Sequence, residues 1–135
     1  MLSGVPSTAW AIVRRQDPLA PTRAAGRLLL PDTGDDLALL AAAAAAHGAL
    51  SLGWTAVLQR LPGGLGRAAG YGLAIAALDL GVAHLVRGER FGPIADLPVL
   101  PQVADHVAFA VVARAAFKAS GDDTPESSRR PARCA

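Results

Sequence analysis

From Leu37 to Gln59 the chain carries no formal charge, and His47 is the one ionisable interruption of its apolar run. At about 1.5 Å of rise per residue, a helix of that length crosses a hydrocarbon core of about 30 Å. Asp32, Asp35 and Asp36 stand just ahead of it, where carboxylates accept from free helical N–H groups and meet the positive end of the helix dipole. Arg60, Leu61, Pro62, Gly63 and Gly64 close it, because proline and paired glycines do not continue a helix and suit a tight turn.

Two more apolar stretches follow at helical length. The second runs over about residues 65–86 and carries Asp79 and His84; the third runs over about 98–117, with Pro101 tolerated in its first turn and Asp105 and His106 inside it. Arg114 and Lys118 end the third by extending toward the headgroups. The pattern predicts an all-α integral membrane protein with about three transmembrane helices. A soluble alanine-rich bundle is the alternative, opposed by the length of the uncharged runs.

Ahead of these spans, Ser7 or Thr8 is placed to cap a short helix through Arg15, and Thr22 another through Leu30, between Pro18, Pro21 and Pro31. Both are too short to cross. Arginines interleaved with Trp10, Ile12, Val13 and residues 28–30 fit interfacial helices along the membrane surface, and a second reading makes residues 1–13 the end of a further span. Three regions result: residues 1–34, a transmembrane bundle over 35–118, and a polar tail over 119–135 expected to be disordered. Ala9, Trp10 and Ala11 fit a cleavage pattern, but nothing basic precedes them and no cleavage is expected.

Composition agrees with the hydropathy: 52% of residues are hydrophobic, 18% are charged, and the mean hydropathy is +0.33. All 13 basic residues except Lys118 are arginine, and alanine dominates the apolar set, a codon signature of a GC-rich bacterial genome. The net charge of +2 is small and the arginines are scattered, so no nucleic-acid partner is expected. Cys134 is the sole cysteine, which rules out an internal disulfide or a paired-cysteine zinc site.

Lysines and arginines barely separate the two sides of the membrane. Arg14, Arg15, Arg23, Arg27, Arg87 and Arg90 fall on the side of the N-terminal region. Arg60, Arg67, Arg114, Lys118, Arg129, Arg130 and Arg133 fall on the other, and the slight excess there places the C-terminus in the cytoplasm.

Ionisable groups within a span are candidates for function, because each is costly in hydrocarbon unless it faces a partner or water. Counted from the N-terminal side, His47, Asp79, Asp105 and His106 lie at similar depths, roughly 10 to 17 Å at the helical rise. His84 is shallower, and Gln102, one turn before His106, is placed to link the layer to solvent. Such a layer suits cross-helix packing, a proton relay, or a divalent metal site with nitrogen and oxygen ligands. No His-Glu-x-x-His spacing occurs, so no metal ligands, cofactor or catalytic residues are assigned, and an enzyme is the less favoured reading.

Small residues repeat every four positions in the second span, at Gly66, Gly70 and Ala74 and again at Ala77 and Gly81. Ala45, Ala49 and Gly53 do so in the first, which predicts a close antiparallel pair of these two helices. Trp54 and Tyr71 sit where interfacial anchors would.

The segments Ser3-Gly4-Val5-Pro6-Ser7-Thr8 and Asp105-His106-Val107-Ala108-Phe109, set among alanine-rich spans, resemble small uncharacterised multi-pass inner-membrane proteins of high-GC bacteria. The resemblance implies a bacterial cytoplasmic (inner) membrane and brings no catalytic residues with it. The function expected is that of a structural or accessory membrane subunit, whose partners are the lipid bilayer and either further copies of itself or another membrane subunit. The alternatives are a small proton- or cation-coupled transporter using the Asp/His layer, and a membrane-embedded metal-dependent enzyme.

Overall fold

The computed structural model describes residues 4–122, six α-helices with no strand among them. The helices are α1 (Val5–Val13), α2 (Ala20–Gly26), α3 (Asp36–Arg60), α4 (Leu65–Val86), α5 (Gly88–Ala95) and α6 (Val99–Asp122). Three of them, α3, α4 and α6, are long and apolar enough to cross a membrane, with mean hydropathies of 1.5, 1.5 and 1.2 over their best windows. They coincide with the three expected spans. Helix α6 runs on past Phe117 to Asp122, and the rest of the predicted tail, Cys134 included, lies outside the described residues.

The boundaries have local causes. The Asp35 carboxylate accepts from the Leu37 and Ala38 N–H groups at 2.9 and 3.4 Å, so α3 begins on the aspartate expected to start it. Its end turns through residues 61–64, where Gly63 holds a φ of +120°, a region that favours glycine. Helix α4 stops where Arg87 and Gly88 take φ of +46° and +74°, which redirects the chain into α5.

Helix α5 lies in the connection between the second and third spans, with Pro93 inside it. It packs on α2 and α4, and its Arg90 donates to the Leu28 carbonyl at 2.7 Å. The N-terminal region and the α4–α6 connection therefore meet at one end of the bundle, as three crossings require.

Both short N-terminal helices start elsewhere than expected. Helix α1 begins at Val5 with Pro6 in its first turn, ahead of Ser7 and Thr8, because proline gives up an N–H that has no helical partner at that position. Helix α2 begins at Ala20 rather than Thr22, with the Asp17 carboxylate accepting from the Leu19 N–H at 2.9 Å just before it, and it ends at Gly26. Arg23 then bridges Asp17 and Asp36, tying the turn before α2 to the first turn of α3.

The main packing contact is between α4 and α6, and α3 leans on α2 and on α6. Although a short turn joins them, α3 and α4 scarcely touch, which corrects the predicted hairpin pair. Leu58, Ile75 and Ala110 form the core where α3, α4 and α6 meet. Trp54 and Tyr71 pack against it while partly exposed, and the Tyr71 hydroxyl donates to the Pro62 carbonyl at 2.9 Å.

The small-residue row is corrected in the same way. Gly66, Gly70, Ala74 and Ala77 lie on the exposed side of α4, and a Cβ added at Gly66, Gly70 or Gly81 would meet nothing within 4 Å. The packed side is the opposite one: Ala68, Gly72, Ile75, Ala76, Leu80 and Ala83. At Gly72 an added Cβ would come to 2.6 Å from the Val107 Cα, so this glycine is where α4 and α6 approach most closely.

Candidate functional site

Helix α4 sets Asp79 on its packed side because Gly72, Ala76 and Ala83 recur there at three- and four-residue steps, the spacing of one helical face. Helix α6 brings up His106 directly opposite. The His106 Nε2 lies 3.2 Å from Asp79 Oδ2, and its Nδ1 lies 2.7 Å from the Gln102 carbonyl one turn earlier.

A carbonyl can only accept, so His106 donates through Nδ1 to Gln102. The contact at Nε2 then holds a single proton, on the imidazole facing a carboxylate or on the carboxyl facing a neutral imidazole. Either way the pair is neutral as a unit. An apolar interior tolerates that far better than it tolerates a lone charge.

Asp105, the residue before His106, points to a different helix. Its Oδ1 accepts the Ser7 N–H of α1 at 3.1 Å, and the Ser7 hydroxyl in turn donates to the Gly4 carbonyl at 3.2 Å. The start of α1 therefore reaches Asp105, six residues into α6. The two neighbouring residues of α6 thus bind α1 and α4 separately.

The remaining predicted members sit around this centre. The Gln102 amide turns back to the Leu97, Ile94 and Pro98 carbonyls at 3.3 to 3.4 Å, closing the turn from α5 into α6. It is the backbone of Gln102, not its amide, that serves the layer. His47 is exposed on α3, a helix that leans on α6. His84 is exposed on α4, a turn beyond Asp79 and outside the cluster.

Among the described residues no three His, Cys, Asp or Glu side chains converge as a metal-ligand group, and no buried side-chain nitrogen or oxygen lacks a hydrogen-bond partner. Two shallow clefts, one along α1 and one between residues 29–33 and Arg90, include none of the layer residues.

Three contributors were missed from sequence: Ser7, Gly72 and Arg114. Arg114 donates from Nε to the Gly63 carbonyl at 2.7 Å, and from a second guanidinium nitrogen as well, so it fastens α6 to the α3–α4 turn instead of reaching for headgroups. A signal for Gly72 was present. It stands seven residues, or two turns, before Asp79, and an aspartate in a span turns inward, so the glycine on its face is the one that packs.

Compared with protein-family models, with curated proteins and with solved structures, the chain matches none.

Proposed function

We propose that the chain is a structural or accessory subunit of a bacterial cytoplasmic membrane assembly, in which the Asp/His layer sets how the helices dock. The observation that carries this is that the packed part of the layer bonds within the chain: both His106 ring nitrogens, Asp105 Oδ1 and the Gln102 amide are used there. The spans also have surface to offer, since only 22, 28 and 11% of the apolar windows of α3, α4 and α6 is buried within the fold. Lipid, a second copy or another membrane subunit covers the remainder. Resemblance in style to small inner-membrane proteins of high-GC bacteria supports the compartment.

A proton-coupled transporter is the second reading, favoured by the 3.2 Å contact between Asp79 and His106 within the spans. Proteoliposomes holding a pH-sensitive dye separate the two. A structural layer gives no proton flux above empty vesicles, and Asp79→Asn, which keeps the shape and an acceptor oxygen, leaves folding and partner capture intact. Flux that Asp79→Asn abolishes at equal protein content would overturn the subunit reading.

Orientation has its own test. With Cys134→Ser as background, single cysteines at Thr33, Gly64 and Glu89 are treated in intact cells with a membrane-impermeant thiol reagent. Gly64 is the better probe of its turn, because a Cβ at Gly63 would run into the Arg67 side chain. A cytoplasmic C-terminus predicts labelling at Thr33 and Glu89 and protection at Gly64. The reverse pattern inverts the protein, and uniform labelling at all three removes the crossings themselves.

A further inference from the structure

Helix α1 is lightly held. Ser7 and Ala11 are its only buried residues, whereas Val5, Ile12 and Val13 are 54, 62 and 80% exposed. Its packing partner is α6. Among the described residues, one hydrogen bond joins it to another helix, from the Ser7 N–H to Asp105 Oδ1 at 3.1 Å across 98 positions of sequence.

The position of that bond within α1 matters. Gly4 is the N-cap and offers no side-chain oxygen, so the first turn has no local cap. Ser7 is the third helical residue, and its N–H is one of the first-turn donors that no helical carbonyl can reach. Asp105 fills this gap from α6, placing a carboxylate at the positive end of the α1 dipole.

Nine residues make a helix about 13 Å long, less than half of a bilayer, and a helix that short is marginal without tertiary support. The bond that docks α1 thus also caps its first turn.

We propose that α1 is a detachable lid over the polar layer, latched through its first turn by the Asp105 side chain. Release bares the Asp105 carboxylate, while His47 is already exposed on α3. It does so without disturbing the Asp79–His106 contact, which joins different helices. The proposal is independent of the subunit reading, since a lid of this kind serves a docking layer and a relay equally.

Hydrogen–deuterium exchange of the full chain in lipid nanodiscs tests the latch, with the Ser7 amide and the later α1 amides as reporters and α4 and α6 as internal references. Asp105→Leu removes the acceptor and is expected to speed α1 exchange about tenfold or more, the factor carried by one hydrogen bond to a charged group. Rates in α4 and α6 stay at wild-type values. Asp105→Asn keeps an oxygen in place and is expected to hold α1 within about threefold of wild type. Unchanged α1 rates in Asp105→Leu would overturn the latch by showing that packing alone holds the helix. Acceleration of α4 and α6 together with α1 would overturn it too, by placing Asp105 in the common core.

Discussion

Replacing Gly72 by valine is expected to destabilise the bundle by about 3 kcal/mol, the upper part of the usual range for overpacking. The atoms in the way are backbone: a Cβ there would lie 2.6 Å from the Val107 Cα and 2.8 Å from the His106 carbonyl oxygen. Neither can rotate aside as a side-chain end would. Helices α4 and α6 must therefore separate, and His106 moves with α6, which lengthens its contact to Asp79. Alanine at Gly66 or Gly70 has open space around it and is expected to be neutral or to gain up to about 1 kcal/mol from the better helix former. Unfolding in mixed micelles, followed by circular dichroism, compares the three. Equal stability of the Gly72→Val and Gly70→Ala variants would refute the close approach.

The Asp79–His106 pair gives the second large effect, and its sign depends on whether one partner or both are removed. Either His106→Leu or Asp79→Leu leaves a polar group facing an apolar one within the spans, and each is expected to lose about 1 to 2 kcal/mol. The side chains keep 25 and 31% of their surface exposed, so the loss stays below that of a fully buried pair. Removing both at once replaces the pair by leucines that lipid and the α4–α6 contact both accept. The double variant is expected to match or exceed the wild type, with a coupling energy of about 2 to 4 kcal/mol, the sum of the two single losses. A double variant weaker than both singles would mean that these residues stabilise through separate partners.

What could be read from the chain beforehand follows from which forces are local. Length, charge-free runs and flanking Asp, Pro and Gly are local, so α3, α4 and α6 were legible almost to the residue at their N-terminal ends. The depth of Asp79, Asp105 and His106 followed from counting along each span, and it put the three near one another before any contact was known.

Choice of neighbour is not local. Spacing by four runs along both sides of α4, as Gly66, Gly70, Ala74 and as Ala68, Gly72, Ala76, so small residues alone could not say which side packs. Helix α5 was hidden because Gly88, Gly92 and Pro93 carry the composition of a loop, and its stability comes from lying on α2 and α4. Ser7 was marked locally only as a cap candidate, and its tie to α6 was not legible because it depends on a carboxylate 98 residues away.

The pairing of Asp79 with His106 also has a consequence in time. Their separation of 27 residues means that α4 is made, and faces the bilayer, before its partner has left the ribosome. At about 5 to 20 residues per second, that interval is on the order of a few seconds. During it Asp79 lacks its His106 partner, so the contact between α4 and α6 is completed only when the third span is delivered. The order of synthesis thereby makes α6 the segment that completes the packing.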